Sequence, residues 1–200
     1  MTRGFSTTIV AALLILPAAI AWGLPRINLT LQPESRLWVN GTSTVRDYEC
    51  TAKDVSAVVA ANGAEVPSAV LAGQKAVTSV AVTIAARELD CSNGTMNGHM
   101  LKAIKAADHP NITFRLSSYD LTPSGVEARA RLTGTLELGG ISRPVTIDAA
   151  ASDGGDGALR VSGSHDLLMT EFGLRPPSLM LGTMKVRDKV TVNFDLYLKG

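Results

Sequence analysis

VEARARLTGTLELGGISRPVTIDAAA, residues 126–151, decides the fold class. Ala128, Ala130, Leu132, Gly134, Leu136 and Leu138 take every second position, and Glu127, Arg129, Arg131, Thr133, Thr135 and Glu137 fill the alternate ones. A period of two sends the two sets to opposite sides of an extended chain, so this is a strand with one apolar and one polar face. Gly139-Gly140 comes next, and glycine accepts the positive φ that a tight hairpin turn needs. The chain then returns through 141–151, with Pro144 placing the start of that strand near an edge or bulge.

The same alternation recurs on both sides of this hairpin. Residues 36–44, 48–61, 76–86, 112–120, 158–169 and 188–198 read as further strands, which with the hairpin makes eight. Val80, Val82 and Ile84 share one face of their strand, and Val190, Val192, Phe194, Leu196 and Leu198 share one face of the last. Residues 66–74 have no clear period and contain Pro67, so a loop is expected there, and 170–185 reads as irregular around Pro176-Pro177. One segment has the helical period instead. Met96, Met100 and Ile104 recur every fourth residue with Leu101 beside them, and Asp108-His109-Pro110 stops the helix, because a residue before proline is pushed out of the α region.

The expected fold is therefore all-β, an eight-stranded antiparallel barrel with one short helix covering an end or a seam. Closure removes exposed strand edges and can leave space for a ligand. A two-sheet sandwich fits the same alternation. The small inward residues Ala128, Ala130, Gly134, Ala149 and Gly163 favour the barrel, because a solid sandwich core would be filled by larger side chains.

Before the first strand, Arg3 is followed by an apolar run, 9–16, too short to span a bilayer, and then by Ala19-Ile20-Ala21, a small-x-small cleavage pattern. Residues 1–21 are expected to be a secretory signal peptide, 22–35 an exposed lead-in, and 36–200 the β-barrel domain. An uncleaved membrane anchor is the alternative for 1–21. Arg3 is the only charged residue of that segment, so its loss leaves acids and bases balanced. No basic stripe is present and aromatic residues are only 4%, which argues against nucleic acid as a partner. Cys50 and Cys91 are an even pair behind a secretion signal and are expected to form a disulfide, the alternative being two buried thiols. Secretion implies a periplasmic or extracellular location.

Catalytic patterns are missing. The three histidines, His99, His109 and His165, have no zinc-protease spacing, and nothing matches the Gly-x-Ser-x-Gly nucleophile elbow. Ser164-His165-Asp166 are consecutive, and neighbours in a strand point to opposite faces, so they cannot form a triad there. Met96, His99 and Met100 could offer soft ligands to Cu(I), but methionines on one helical stripe are more simply apolar packing. No enzyme activity, metal or cofactor is expected.

Several stretches in order resemble the YceI-like family of secreted bacterial lipid-binding proteins. They are 38–45 (WVNGTSTV), the 96–104 helix with 108–114 (DHPNITF), 132–145 (LTGTLELGGISRPV), 169–177 (MTEFGLRPP) and 190–196 (VTVNFDL). The resemblance implies a lipocalin-like barrel, an apolar tunnel for a polyisoprenoid or quinone-type lipid, and a bacterial cell-envelope location. The cysteine pair and the run 45–50 (VRDYEC) depart from that pattern and look like a subgroup, whose pocket is open to narrowing. The residues expected to line the ligand site are Val80, Val82, Ile84, Met100, Ile104, Phe114, Leu132, Leu136, Ile147, Val161, Met169, Phe172, Val192 and Phe194. The expected function is non-catalytic binding or transport of an apolar chain, with room for transient contact with a membrane. The alternative is a structural or stress-related envelope protein whose barrel is filled and holds no ligand.

Overall fold

The computed structural model describes residues 25–179 and 183–200. Its elements run β1 (Arg26–Leu31), β2 (Arg36–Ser43), β3 (Asp47–Ala52), β4 (Ser56–Asn62), α1 (Val66–Leu71), β5 (Val77–Ala85), a 3-10 turn (Ala86–Glu88) and β6 (Leu89–Asp90). They continue with α2 (Gly94–Ala103), β7 (Asn111–Ser124), β8 (Glu127–Leu138), β9 (Ile141–Asp153), β10 (Leu159–Leu168), a second 3-10 turn (Met169–Phe172), β11 (Ser178–Leu179) and β12 (Met184–Lys199).

Eight strands, β1, β4, β5, β7, β8, β9, β10 and β12, pair antiparallel in that order, and β1 pairs back to β12, so the sheet closes into a barrel. The length of β12 makes closure asymmetric. One of its edges carries β10 from Lys189 to Leu198. The other carries β2 between Val186 and Asp195, and β1 only at Leu198 and Lys199. Beyond β2 the sheet continues into β3 and β6. β1 and β2 thus run along one edge of β12 with a detour at 32–35. That detour is fastened where the Gln32 N–H donates to the Tyr197 carbonyl at 2.8 Å and the Tyr197 N–H donates to the Ser35 hydroxyl at 2.9 Å.

Three expectations change here. Residues 22–35 were expected to form an exposed lead-in, but their described part holds β1, whose Leu29 is only 5% exposed and pairs with Val59. The alternation of Ile27, Leu29 and Leu31 is present, but its partners lie far along the chain and prolines flank it. Residues 48–61 are two strands rather than one. The break at 53–55 lets β3 follow β2 while β4 follows β1. Residues 66–74 begin with helix α1. Pro67 sits in its first turn, where a missing N–H leaves no helical bond unmade, so the proline starts this helix.

Both helices close ends of the barrel. α1 buries Val66 and Val70 in a cluster with Leu29, Val59, Ala61, Ala128, Ala151, Leu159 and Leu198. α2 starts at Asn93, whose side chain accepts the Met96 N–H at 3.0 Å, the usual service of an N-cap asparagine. None of its own residues is fully buried; half-buried Met100, Leu101 and Ala103, with buried Ile104 just beyond, pack on a second cluster around Leu37, Ile84, Leu89, Leu138, Leu167, Phe172 and Leu174. The outward face carries cross-strand ion pairs such as Arg131–Asp148 and Arg160–Asp195. Exposed pairs of this kind add little stability.

Candidate functional site: an apolar cavity inside the barrel

The barrel interior holds a cavity of about 300 Å3, lined by members of both clusters. Its wall is built from inward positions of the strands, closed by Val70 of α1 at one end and by Met100 and Ile104 at the other. The structure places thirteen of the fourteen expected lining residues on this wall: Val80, Val82, Ile84, Met100, Ile104, Phe114, Leu132, Leu136, Ile147, Val161, Met169, Val192 and Phe194. Phe172 is not on it. Phe172 is 1% exposed and sits inside the cluster under the second 3-10 turn, where it packs the end of the barrel.

The small residues do not open the hollow in the way their size suggests. A Cβ on Gly134 would lie 2.6 Å from the Phe114 ring, and one on Gly163 would lie 2.7 Å from the Phe194 ring. Gly41 is likewise covered by the ring of Tyr48. In each case an aromatic side chain lies over a glycine of the adjacent strand, a pairing that shields bare backbone. Of the five small inward residues, only Ala130 touches the cavity.

Sequence periodicity missed part of the lining for a definite reason. In β7 the register against β8 shifts between Leu116 and Ser118, so the chain gains one residue there. Ile112, Phe114 and Leu116 face inward before the bulge; Tyr119 and Leu121 face inward after it. A strict period of two would send Tyr119 outward. Other members of the wall, among them Leu37, Val39, Leu138 and Leu196, follow the alternation already visible in their strands.

Among the described residues, three lining side chains carry oxygen or nitrogen: Tyr48, Tyr119 and His165. Tyr119 is satisfied locally. Its hydroxyl donates to the Val77 carbonyl at 3.0 Å and accepts the Val77 N–H at 3.0 Å. Burial pushes its phenol above the usual range, with the Val77 bond acting the other way. Burial likewise raises the Tyr48 phenol. His165 turns inward, while Asp166 turns outward to accept from Thr191 at 2.6 Å and pair with Lys189. The consecutive Ser-His-Asp residues are therefore not assembled. Among the described residues no group of three or more His, Cys, Asp or Glu gathers in metal-binding geometry.

The α2 end is fastened by polar and covalent links. Cys50, on the cavity wall, is bonded to Cys91 at the entrance to α2, closing 41 residues of sequence. Beside this bridge, the Asp90 carboxylate accepts from Lys53 at 2.7 Å, from the Asn97 side chain at 2.8 Å and from the Ser92 N–H at 3.0 Å. The Lys53 bond, followed by those of Asn97 and Ser92, holds the Asp90 carboxyl down at about 2. Asn97 completes the clasp by accepting the Cys91 N–H at 2.7 Å.

Comparison with known proteins agrees with this architecture. The model of the YceI-like domain matches residues 34–198. Among solved structures, Burkholderia cenocepacia BcnA is 21% identical over 84% of this chain and 99% of its own, with a TM-score of 0.65. The Campylobacter jejuni YCEI protein is 22% identical over 74% and 82%, with a TM-score of 0.56. A polyisoprenoid binding domain from Saccharophagus degradans, implicated in plant cell wall breakdown, is 11% identical over 88% and 99%, with a TM-score of 0.60. At these identities the likeness concerns the fold. Among curated proteins, none matches this chain.

Proposed function

This chain belongs to the YceI-like domain family, and from that premise we propose that it binds and carries an apolar chain ligand, a polyisoprenoid or quinone-type lipid, in the cell envelope, without catalysing a reaction on it. The observation that carries the proposal is the cavity of about 300 Å3 inside the barrel, with a nearly all-carbon wall. A chain laid along it would be held by area. Burying roughly 400 Å2 at about 25 cal/mol per Å2 gives on the order of 10 kcal/mol before the costs of association. The cavity weighs against the alternative of a barrel filled by its own side chains. The lipid named for the Saccharophagus degradans domain supports the ligand class.

Two further features support this location. Residues 1–21, which lie outside the described residues, have the apolar run and small-x-small ending of a secretory signal, and cleavage there would release the barrel domain to the periplasm or the exterior. The Cys50–Cys91 bridge suits an oxidising compartment. Among the described residues no helix is long and apolar enough to cross a membrane. Loading and unloading then take place by transient contact with a membrane.

The test is thermal unfolding of the purified protein with added polyprenol or a quinone bearing an isoprenoid tail. Wild type should gain stability with ligand concentration, because binding to the folded state alone shifts unfolding by mass action. Leu136→Trp, which fills the cavity from its wall, should lose that gain. A wild type that no isoprenoid protects would refute the proposal.

A further inference from the structure

We infer that the cavity limits the length of its cargo, so that the protein carries a short isoprenoid chain of about 15 carbons, three isoprene units, in preference to a long polyprenyl chain. This rests on the lipid-carrier proposal above and names which chain fits the barrel.

Volume gives one limit. A cavity of roughly 150 Å3 lined by aliphatic and aromatic side chains takes one benzene, six carbons. At the same filling, the cavity of about 300 Å3 in this barrel takes about twelve carbons. Length gives a second limit by a separate route. The lining runs from Ala130 to Leu138 along β8 and from Val190 to Leu198 along β12, eight steps in each strand. Eight steps of about 3.4 Å, on strands tilted by about 40° to the barrel axis, span about 20 Å. A fully extended chain advances about 1.2 Å per bond, as the polypeptide backbone itself does, so about 16 carbons reach from end to end. Val70 of α1 stands at one end of that span, and Met100 and Ile104 stand at the other. An eight-stranded barrel has room inside for one small ligand, so the chain lies in single file. Twelve and sixteen carbons lie on either side of three isoprene units.

The chemistry of the wall makes length the property that decides. The lining is almost entirely carbon, so fit and buried area do the selecting. A shorter chain leaves part of the hollow empty, and the side chains around that part lose their contacts. A longer chain has units that no wall covers. Once the protein leaves a membrane those units sit in water, at a cost proportional to their apolar area. Binding therefore has an optimum in chain length instead of rising with every added unit.

The experiment is native mass spectrometry of purified full-length protein, equilibrated with an equimolar mixture of four prenols in detergent micelles. The probes are geraniol, farnesol, geranylgeraniol and an eight-unit prenol. Wild type should hold farnesol as its most abundant adduct and the eight-unit prenol at about a tenth of that or less. Ala57→Leu adds three carbons to the wall and should move the most abundant adduct down to geraniol. Leu132→Ala removes three carbons and should move it up to geranylgeraniol. A general loss of stability would not shift the two variants in opposite directions, and if one fails to fold the other still reads the shift. An eight-unit adduct as abundant as farnesol, or a distribution that neither variant moves, would overturn the length limit and leave the carrier proposal standing. Binding of none of the four by wild type would overturn both.

Discussion

The two ends of the barrel are closed by helices held in different ways. α1 is held by burial: Val66 and Val70 are 1% and 3% exposed, and no side chain caps its first turn. α2 has no fully buried residue and is held by fastenings, which are the Cys50–Cys91 bridge, the Asp90 clasp and the Asn93 cap. A plug secured by apolar area can leave only by exposing that area to water. A plug secured by discrete links depends on those links as well as on the half-buried side chains it lays on the core. The α1 end is thus held by area and the α2 end by covalent and polar links.

The sharpest way to break this contrast is to remove the bridge. Replacing both Cys50 and Cys91 by serine should cost about 2–4 kcal/mol of stability, the usual range for a native disulfide. Hydrogen exchange in the same variant should speed up over Gly94–Ala103 and leave Val66–Leu71 protected. Equal loosening of both helices would erase the distinction. Val66→Ala reverses the test. It should cost about 2 kcal/mol through a cavity beneath α1, read by denaturant unfolding, and should leave exchange in α2 unchanged. Asn93→Ala removes only the cap of α2 and should cost about 1 kcal/mol in the same measurement.

Acid gives the smallest and most selective effect. The Asp90 carboxyl is held at about 2, below its ordinary value of 3.8, by Lys53, Asn97 and the Ser92 N–H. A carboxyl depressed on folding contributes stability that is complete above its unfolded value and lost as the pH falls through the folded one. Unfolding midpoints should therefore decline between about pH 4 and pH 2. Asp166 is lowered in the same sense by Lys189 and Thr191 on the outward face. Asp90→Asn should flatten only part of the decline, and α2 should be the element whose exchange stops responding to acid.

Much of this was legible in residues alone, and the misses have physical causes. The hairpin of β8 and β9 reads directly because each strand has one wet face, so period and burial agree. β1 was hidden because its apolar alternation is short and its partners, β4 and the last residues of β12, lie about thirty and about one hundred and seventy residues away. α1 was hidden because proline is read as a breaker, although in a first turn it starts a helix. Tyr119 was hidden by the bulge near Ser117, which no alternation rule anticipates. Gly134 and Gly163 suggested empty space, but a glycine opposite an aromatic ring marks where the ring lies, and that depends on a neighbour distant in sequence. The strong faces of single strands were thus readable, and what depended on cross-strand contact was not.

Native mass spectrometry of the protein isolated from cell envelopes tests the central claim most directly, because it weighs what the barrel holds. A hollow that carries lipid predicts a folded species heavier than the polypeptide, which releases an isoprenoid-type molecule when unfolded, and the same preparation of Leu136→Trp arriving bare. A wild-type species at the mass of the polypeptide alone, folded and unfolded alike, would contradict it.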